Sequence, residues 1–212
     1  MRKSELIIVF IIFISFAIAF WLYPQMPQMM VSHWDCQGRA DGYMSKFWAL
    51  FLMPIISLFM FFLFLLVPKI DPLKHNIEKF RKYFDAFIVI SFLFLFYLYL
   101  LTILWNLGLR FDFVKFLVPA FSFLFFWCGI LIEKAKRNWF LGIRTPWTLS
   151  SDKVWERTHK LGGKLFKILA IISFLGIIFP DFAIFFLIVP LLLITIYLFI
   201  YSYFQYQKEN KA

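Results

Sequence analysis

Six long apolar runs divide the chain, at residues 6–23, 47–67, 84–106, 113–132, 163–180 and 182–206. Each approaches or exceeds the roughly 20 residues a helix needs to cross about 30 Å of hydrocarbon. Asp85, Lys115, Lys164 and Lys167 lie near run ends, where side chains reach the interface, and the run interiors carry no charge. In lipid every backbone polar group must find a partner inside the chain, so uninterrupted runs of this length are helices. The pattern predicts an all-α fold, a polytopic transmembrane bundle of about six spans. Pro54, Pro119 and Pro190 fall inside spans, where neighbouring helices tolerate the lost donor and the kink. No period repeats and no Gly/Ser linker interrupts the pattern, so residues 1–212 read as a single integral membrane domain.

The polar segments between the runs set the orientation. Arg2 and Lys3 followed by an apolar run, with Ala17-Ile18-Ala19 behind it, have the outline of a cleavable signal. The run continues through Phe20, Trp21, Leu22 and Tyr23, which favours a retained helix. Seventeen Lys and Arg fall in residues 1–5, 68–83, 133–164 and the tail after 206. The alternate connections hold only Arg39, Lys46, Arg110 and Lys115. The positive-inside rule then places both termini in the cytoplasm, loop 24–46 outside and loop 133–162 inside. The expected location is the plasma membrane, with multiple passes.

Composition agrees with the pattern. The chain is 63% hydrophobic, has a mean hydropathy of +0.81 and contains 32 Phe. A soluble domain is typically about 45–50% apolar. The net charge of +10 invites a nucleic-acid reading, but the basic residues flank spans, where they meet anionic headgroups. No direct nucleic-acid contact is expected; the lipid bilayer is the first partner. Cys36 lies in a loop and Cys128 deep in an apolar run, so a disulfide between them is not expected.

Two connections are long and rich in unusual residues. In the outer one, Pro24 and Pro27 stop the first helix, Asp41-Gly42 signals a turn, and Trp34 and Tyr43 suit the headgroup level. His33, Asp35, Cys36 and Asp41 are potential ligands, but their spacing matches no strong zinc pattern, so neither a metal nor another cofactor is expected. In the inner one, Gly142 and Pro146 break any helix and Ser150 or Ser151 caps the next, a short helix over 152–162. Trp139, Trp147 and Trp155 suit the inner interface. Arg144, Glu156 and His159 are its ionisable groups, without a nucleophile elbow, a phosphate loop or a His-Glu-x-x-His sequence. Catalysis is therefore not expected.

These two segments carry a resemblance. The inner stretch Asn138-x-Phe140-x-Gly142-Ile143-Arg144-Thr145-Pro146-Trp147-Thr148-Leu149-Ser150-Ser151, with Val154-Trp155 and Thr158-His159-x-x-Gly162-Gly163, resembles the SdpI family. The outer stretch is similar to that family's N-terminal motif in Pro24, Pro27, His33-Trp34, Gly38, Asp41-Gly42-Tyr43 and Lys46; many relatives have Asn at Asp35. The resemblance implies immunity to a secreted antimicrobial peptide toxin. It also implies signalling, by holding a small DNA-binding repressor at the membrane. On that reading His33, Trp34, Asp35, Asp41, Tyr43 and Lys46 form the toxin-contact loop. Asn138, Arg144, Thr145, Trp147, Trp155 and His159 form the cytoplasmic docking surface, with Arg144 and His159 as polar anchors and Trp147 and Trp155 as contacts. Two rival classes are a transporter or channel, disfavoured by uncharged span interiors, and a metal-dependent membrane enzyme, whose acid–base sets would be His33 with Asp35 and Asp41, or Glu156 with His159.

Overall fold

A computed structural model describes residues 2–35 and 37–211. Cys36, one of the candidate ligands, lies outside the described residues. Six helical segments are long and apolar enough to cross a membrane: Lys3–Leu22, Lys46–Ile70, Arg81–Asn106, Phe113–Lys134, Asp152–Ile178 and Pro180–Asn210. Each overlaps one of the six runs. The elements are α1 (Lys3–Leu22), β1 (Met29–Trp34), β2 (Ala40–Ser45), α2 (Lys46–Ile70), α3 (Lys74–Lys79), α4 (Arg81–Asn106), α5 (Phe113–Lys134), α6 (Pro146–Ser150), α7 (Asp152–Ser173), α8 (Leu175–Ile178) and α9 (Ala183–Asn210). A 3-10 turn over Pro180–Phe182 precedes α9.

The helices pack as two groups of three. α1, α2 and α4 form one and α5, α7 and α9 the other, joined where α4 meets α5. Ile8, Ile12, Phe84, Ile88 and Phe92 fill the core between α1 and α4. Large apolar residues also cover the outside: Phe13, Phe59, Phe62, Leu193 and Ile171 are well exposed. A chain with Phe and Leu both inside and outside is built for a solvent of lipid tails.

The most extensive pairing is α5 with α7, and small residues cause it. A Cβ added at Gly163 would lie 2.7 Å from the Gly129 carbonyl oxygen, and one added at Gly129 would lie 2.8 Å from that of Gly163. The two backbones touch, as small-residue crossings in membranes permit. Here the structure corrects the sequence reading. The expected short helix over 152–162 and the fifth span from 163 are one continuous helix. Gly163 marks the crossing with α5, inside that continuous helix.

Chain contacts sort the connections onto two ends. Arg2 pairs with Asp85 at 3.4 Å, joining the start of α1 to that of α4. At this end Asn76 Nδ2 donates to the Arg137 carbonyl at 2.8 Å, and Ser151 Oγ donates to Glu209 at 2.5 Å. At the other end Asn106 holds β1. The first is the motif end, after residues 134–163, and the second the hairpin end.

Candidate functional site

The segment expected as a turn-rich loop at 24–46 is a β-hairpin. β1 and β2 pair antiparallel from Met29 opposite Ser45 to Trp34 opposite Ala40, with irregularities on either side of His33. The short alternation in these strands gave no strand signal, and Asn106, which clamps the hairpin, is distant in sequence. Its Oδ1 accepts from the Val31 N–H at 2.8 Å and its Nδ2 donates to the Val31 carbonyl at 2.9 Å. An amide side chain carries its acceptor and donor side by side, so it can pair with both the N–H and the carbonyl of one residue. Trp34 stacks on Phe113 at 3.8 Å, which seats the hairpin on α5.

The named outer residues share this hairpin but not one task. Asp35 closes the turn, accepting from the N–H groups of Gln37 at 2.9 Å and Arg39 at 2.8 Å and from the Arg39 guanidinium. The Arg39 N–H above all, then its guanidinium and the Gln37 N–H, hold the Asp35 carboxyl below the usual range. His33 Nδ1 and Asp41 meet at 2.5 Å across the strands, and both are well exposed. Tyr43 is 60% exposed, whereas Lys46 lies over the Tyr23 ring at 4.6 Å. His33, Asp41 and Tyr43 are thus the accessible members; Trp34 and Asp35 build the hairpin. Among the described residues no three of His, Cys, Asp and Glu converge as a metal would need.

The motif end is a knot of reciprocal hydrogen bonds. Asn138 Nδ2 donates to the carbonyls of Lys136 and Leu141, and its Oδ1 accepts from the N–H groups of Phe140 and Leu141. Thr145 caps α6, exchanging bonds with Thr148, and its hydroxyl meets Ser202 of α9 at 3.0 Å. Asp71 reaches in from the α2–α3 corner to accept from the Trp139 N–H at 2.9 Å. Trp155 stacks on His159 at 3.8 Å and donates through Nε1 to the Ala135 carbonyl at 2.8 Å.

His159 closes the knot. Its Nε2 accepts from the Ile143 N–H at 2.9 Å, which requires an unprotonated Nε2. Nδ1 therefore carries the proton and donates to the Trp155 carbonyl at 2.9 Å. Gly142 makes room for it. A Cβ there would lie 2.3 Å from Nε2, and its φ of +102° is left-handed.

This geometry corrects two expected roles. Trp155 and His159 are 2% and 1% exposed, so neither can be a direct contact for a partner. Asn138 and Thr145 are likewise buried. The aromatic pattern suggested an interfacial belt, but Trp155 and His159 lie one turn apart on the α7 face that packs inward. Of the six inner residues, Arg144 is exposed and Trp147 half-buried, between Phe199 and Tyr203 of α9.

Two concavities adjoin the knot, on different sides. A polar basin of about 690 Å³ lies between α3 and α7, lined by His75, Lys79, Lys136, Glu156 and Lys160, with Glu133 deeper. Glu133 is paired with Lys167, and Asp152 at the rim with Arg137. None of the basin's lysines stood out in sequence, because a lysine beside a span reads as a topology signal. The second is an apolar cleft of about 490 Å³ with Arg144 at its edge.

Comparison with known proteins divides along the same halves. Residues 134–202 match the model of the SdpI/YfhL protein family, covering the knot, α7 and most of α9. Residues 10–58 match a domain of unknown function, DUF1648, covering most of α1, the hairpin and half of α2. The chain is 25% identical over 209 residues to a protein of Bacillus subtilis (strain 168) named immunity protein SdpI, with 98% of each chain covered. No solved structure matches. The resemblance carried by the two motifs is therefore shown: the chain is a multi-pass plasma-membrane protein similar to the SdpI family, and to one SdpI immunity protein over nearly its whole length.

Proposed function

We propose that this protein confers immunity to a secreted antimicrobial peptide, meeting the peptide at the hairpin end and a small DNA-binding repressor at the motif end. It acts by binding and not by catalysis. The observation that carries the reading is the placement of the two motif segments at opposite ends of one helical bundle, in a chain aligned end to end with an immunity protein. Peptide contact falls to His33, Asp41 and Tyr43 on the exposed hairpin, with Trp34, Asp35 and Lys46 holding its shape. On the other side Trp147 and the basin lysines Lys79, Lys136 and Lys160 form the docking face, stiffened by Asn138, Thr145, Trp155 and His159.

The link between the ends is α4. Its last residue, Asn106, grips the hairpin, and its first turn joins α1 through Arg81, Asp85 and Arg2. Twenty-six residues make a rod of about 39 Å. A peptide that prefers one hairpin position biases α4, and with it the α3 wall of the basin; coupling requires that unequal affinity.

The test uses a bacterium sensitive to an SdpI-type killing peptide and lacking its own immunity protein. Expression of the wild-type chain should restore survival. Asn106→Ala, at equal membrane level, should reduce protection by releasing the hairpin. If the wild-type chain reaches the membrane in full amount and gives no protection, the reading fails.

A further inference from the structure

The apolar cleft at the motif end lies between helices of the bundle, beside the knot. α4 and α9 flank α5 and leave between them a space of about 490 Å³. Cys128 and Leu131 of α5, Phe166 of α7 and Leu198 of α9 line its floor and walls. Its rim is apolar and exposed: Phe199 is 51% accessible and Phe140 36%. The cleft therefore faces the tails of the bilayer. Its depth is that of the headgroup boundary and the first part of the tails. Cys128 stands six residues before Lys134, about 9 Å along the helix axis.

Arg144 is the single charged residue of this lining. Its side chain is exposed, and one nitrogen, Nη1, is fixed on the Trp139 carbonyl at 2.6 Å. Among the described residues it makes no other hydrogen bond and no ion pair. A guanidinium oriented by one bond, with its other donors unused, at the edge of a lipid-facing slot is complementary to a phosphodiester joined to an acyl chain. Basic pockets between membrane helices take anionic headgroups for this reason.

We propose that this cleft is a binding site for one anionic phospholipid, with an acyl chain against Cys128, Phe166 and Leu198 and the phosphate on Arg144. The cleft is walled by the Gly142–Thr145 segment of the knot, so an occupied site braces the segment that His159 holds from the other side. This site is independent of the immunity reading.

Native mass spectrometry of the purified full chain in detergent tests it, with phosphatidylglycerol or phosphatidylcholine added back. One bound phosphatidylglycerol should survive at activation energies that strip phosphatidylcholine. Arg144→Gln should weaken that retention about tenfold, the value of a charge-assisted bond, and Arg144→Lys should lose less. Thr195→Trp, which fills the cleft, should abolish it, while Arg110→Gln at the opposite end should change nothing. Size-exclusion elution at the wild-type volume certifies each variant as folded. Equal retention of the two lipids, or a phosphatidylglycerol adduct that persists in both Arg144→Gln and Thr195→Trp, overturns the proposal.

Discussion

At the scale of single residues, Gly142 and His159 form a coupled pair. The glycine is required twice over, by a φ of +102° and by the 2.3 Å approach that a Cβ would make to Nε2. The left-handed backbone alone costs an alanine about 1–3 kcal/mol. The clash adds to that only while the imidazole is present. Gly142→Ala should therefore lower the thermal midpoint of the purified protein strongly, and lower it less in a His159→Ala background, where the backbone penalty alone remains. Measuring all four proteins gives the interaction energy. Equal losses in both backgrounds would show that the imidazole does not sit over Gly142. His159 was legible in the sequence as a notable residue, yet its role was not. A histidine one turn from a tryptophan on a basic helix looks like a surface anchor. What buries it is a loop sixteen residues earlier that turns back over α7, and no local pattern carries that.

Elements were legible in proportion to their local signal. Six runs with uncharged interiors gave six spans, because a helix in lipid needs only length and apolar character. The hairpin was not legible, since Met29–Trp34 and Ala40–Ser45 are short, irregular in register and held by Asn106 from another helix. α7 was legible only in part. Gly162-Gly163 reads as a break in water, where a helix glycine costs about 1 kcal/mol. Against α5, Gly163 brings its backbone onto that of Gly129, while Gly162 leaves room for the Ile143 side chain. This gives the second test. Gly163→Leu must displace both the Gly129 carbonyl and the Glu133 side chain, each 2.7 Å from the added carbon. Overpacking of this kind costs about 1–3 kcal/mol or more. The variant should lose thermal stability or fail to accumulate. Gly163 has ordinary helical backbone, where leucine is the better helix former by about 1 kcal/mol, so an unchanged or raised thermal midpoint would mean that α5 and α7 do not cross at Gly129.

At the scale of the whole molecule, the charge pattern and the contact pattern are independent and sort the connections identically. Contacts place the start of α1, the α3 corner, the knot and the end of α9 together. These same segments contain seventeen of the 22 Lys and Arg, against four at the hairpin end. Loops rich in Lys and Arg stay in the cytoplasm, so we propose that the motif end lies inside and the hairpin outside. In that proposed orientation the basin lysines would face cytoplasmic acidic surfaces and the His33–Asp41 pair the outside. A chain with both native cysteines replaced, carrying either Gln37→Cys or Ser150→Cys, separates the two sides, since both positions are exposed. A membrane-impermeant maleimide should label position 37 in intact cells and position 150 only after the membrane is opened. Labelling of both from one side would dissolve the two-ended arrangement and the immunity reading with it. The packing of α5 on α7 and the Arg144 cleft would stand, because they depend on which helices touch and not on which way the bundle faces.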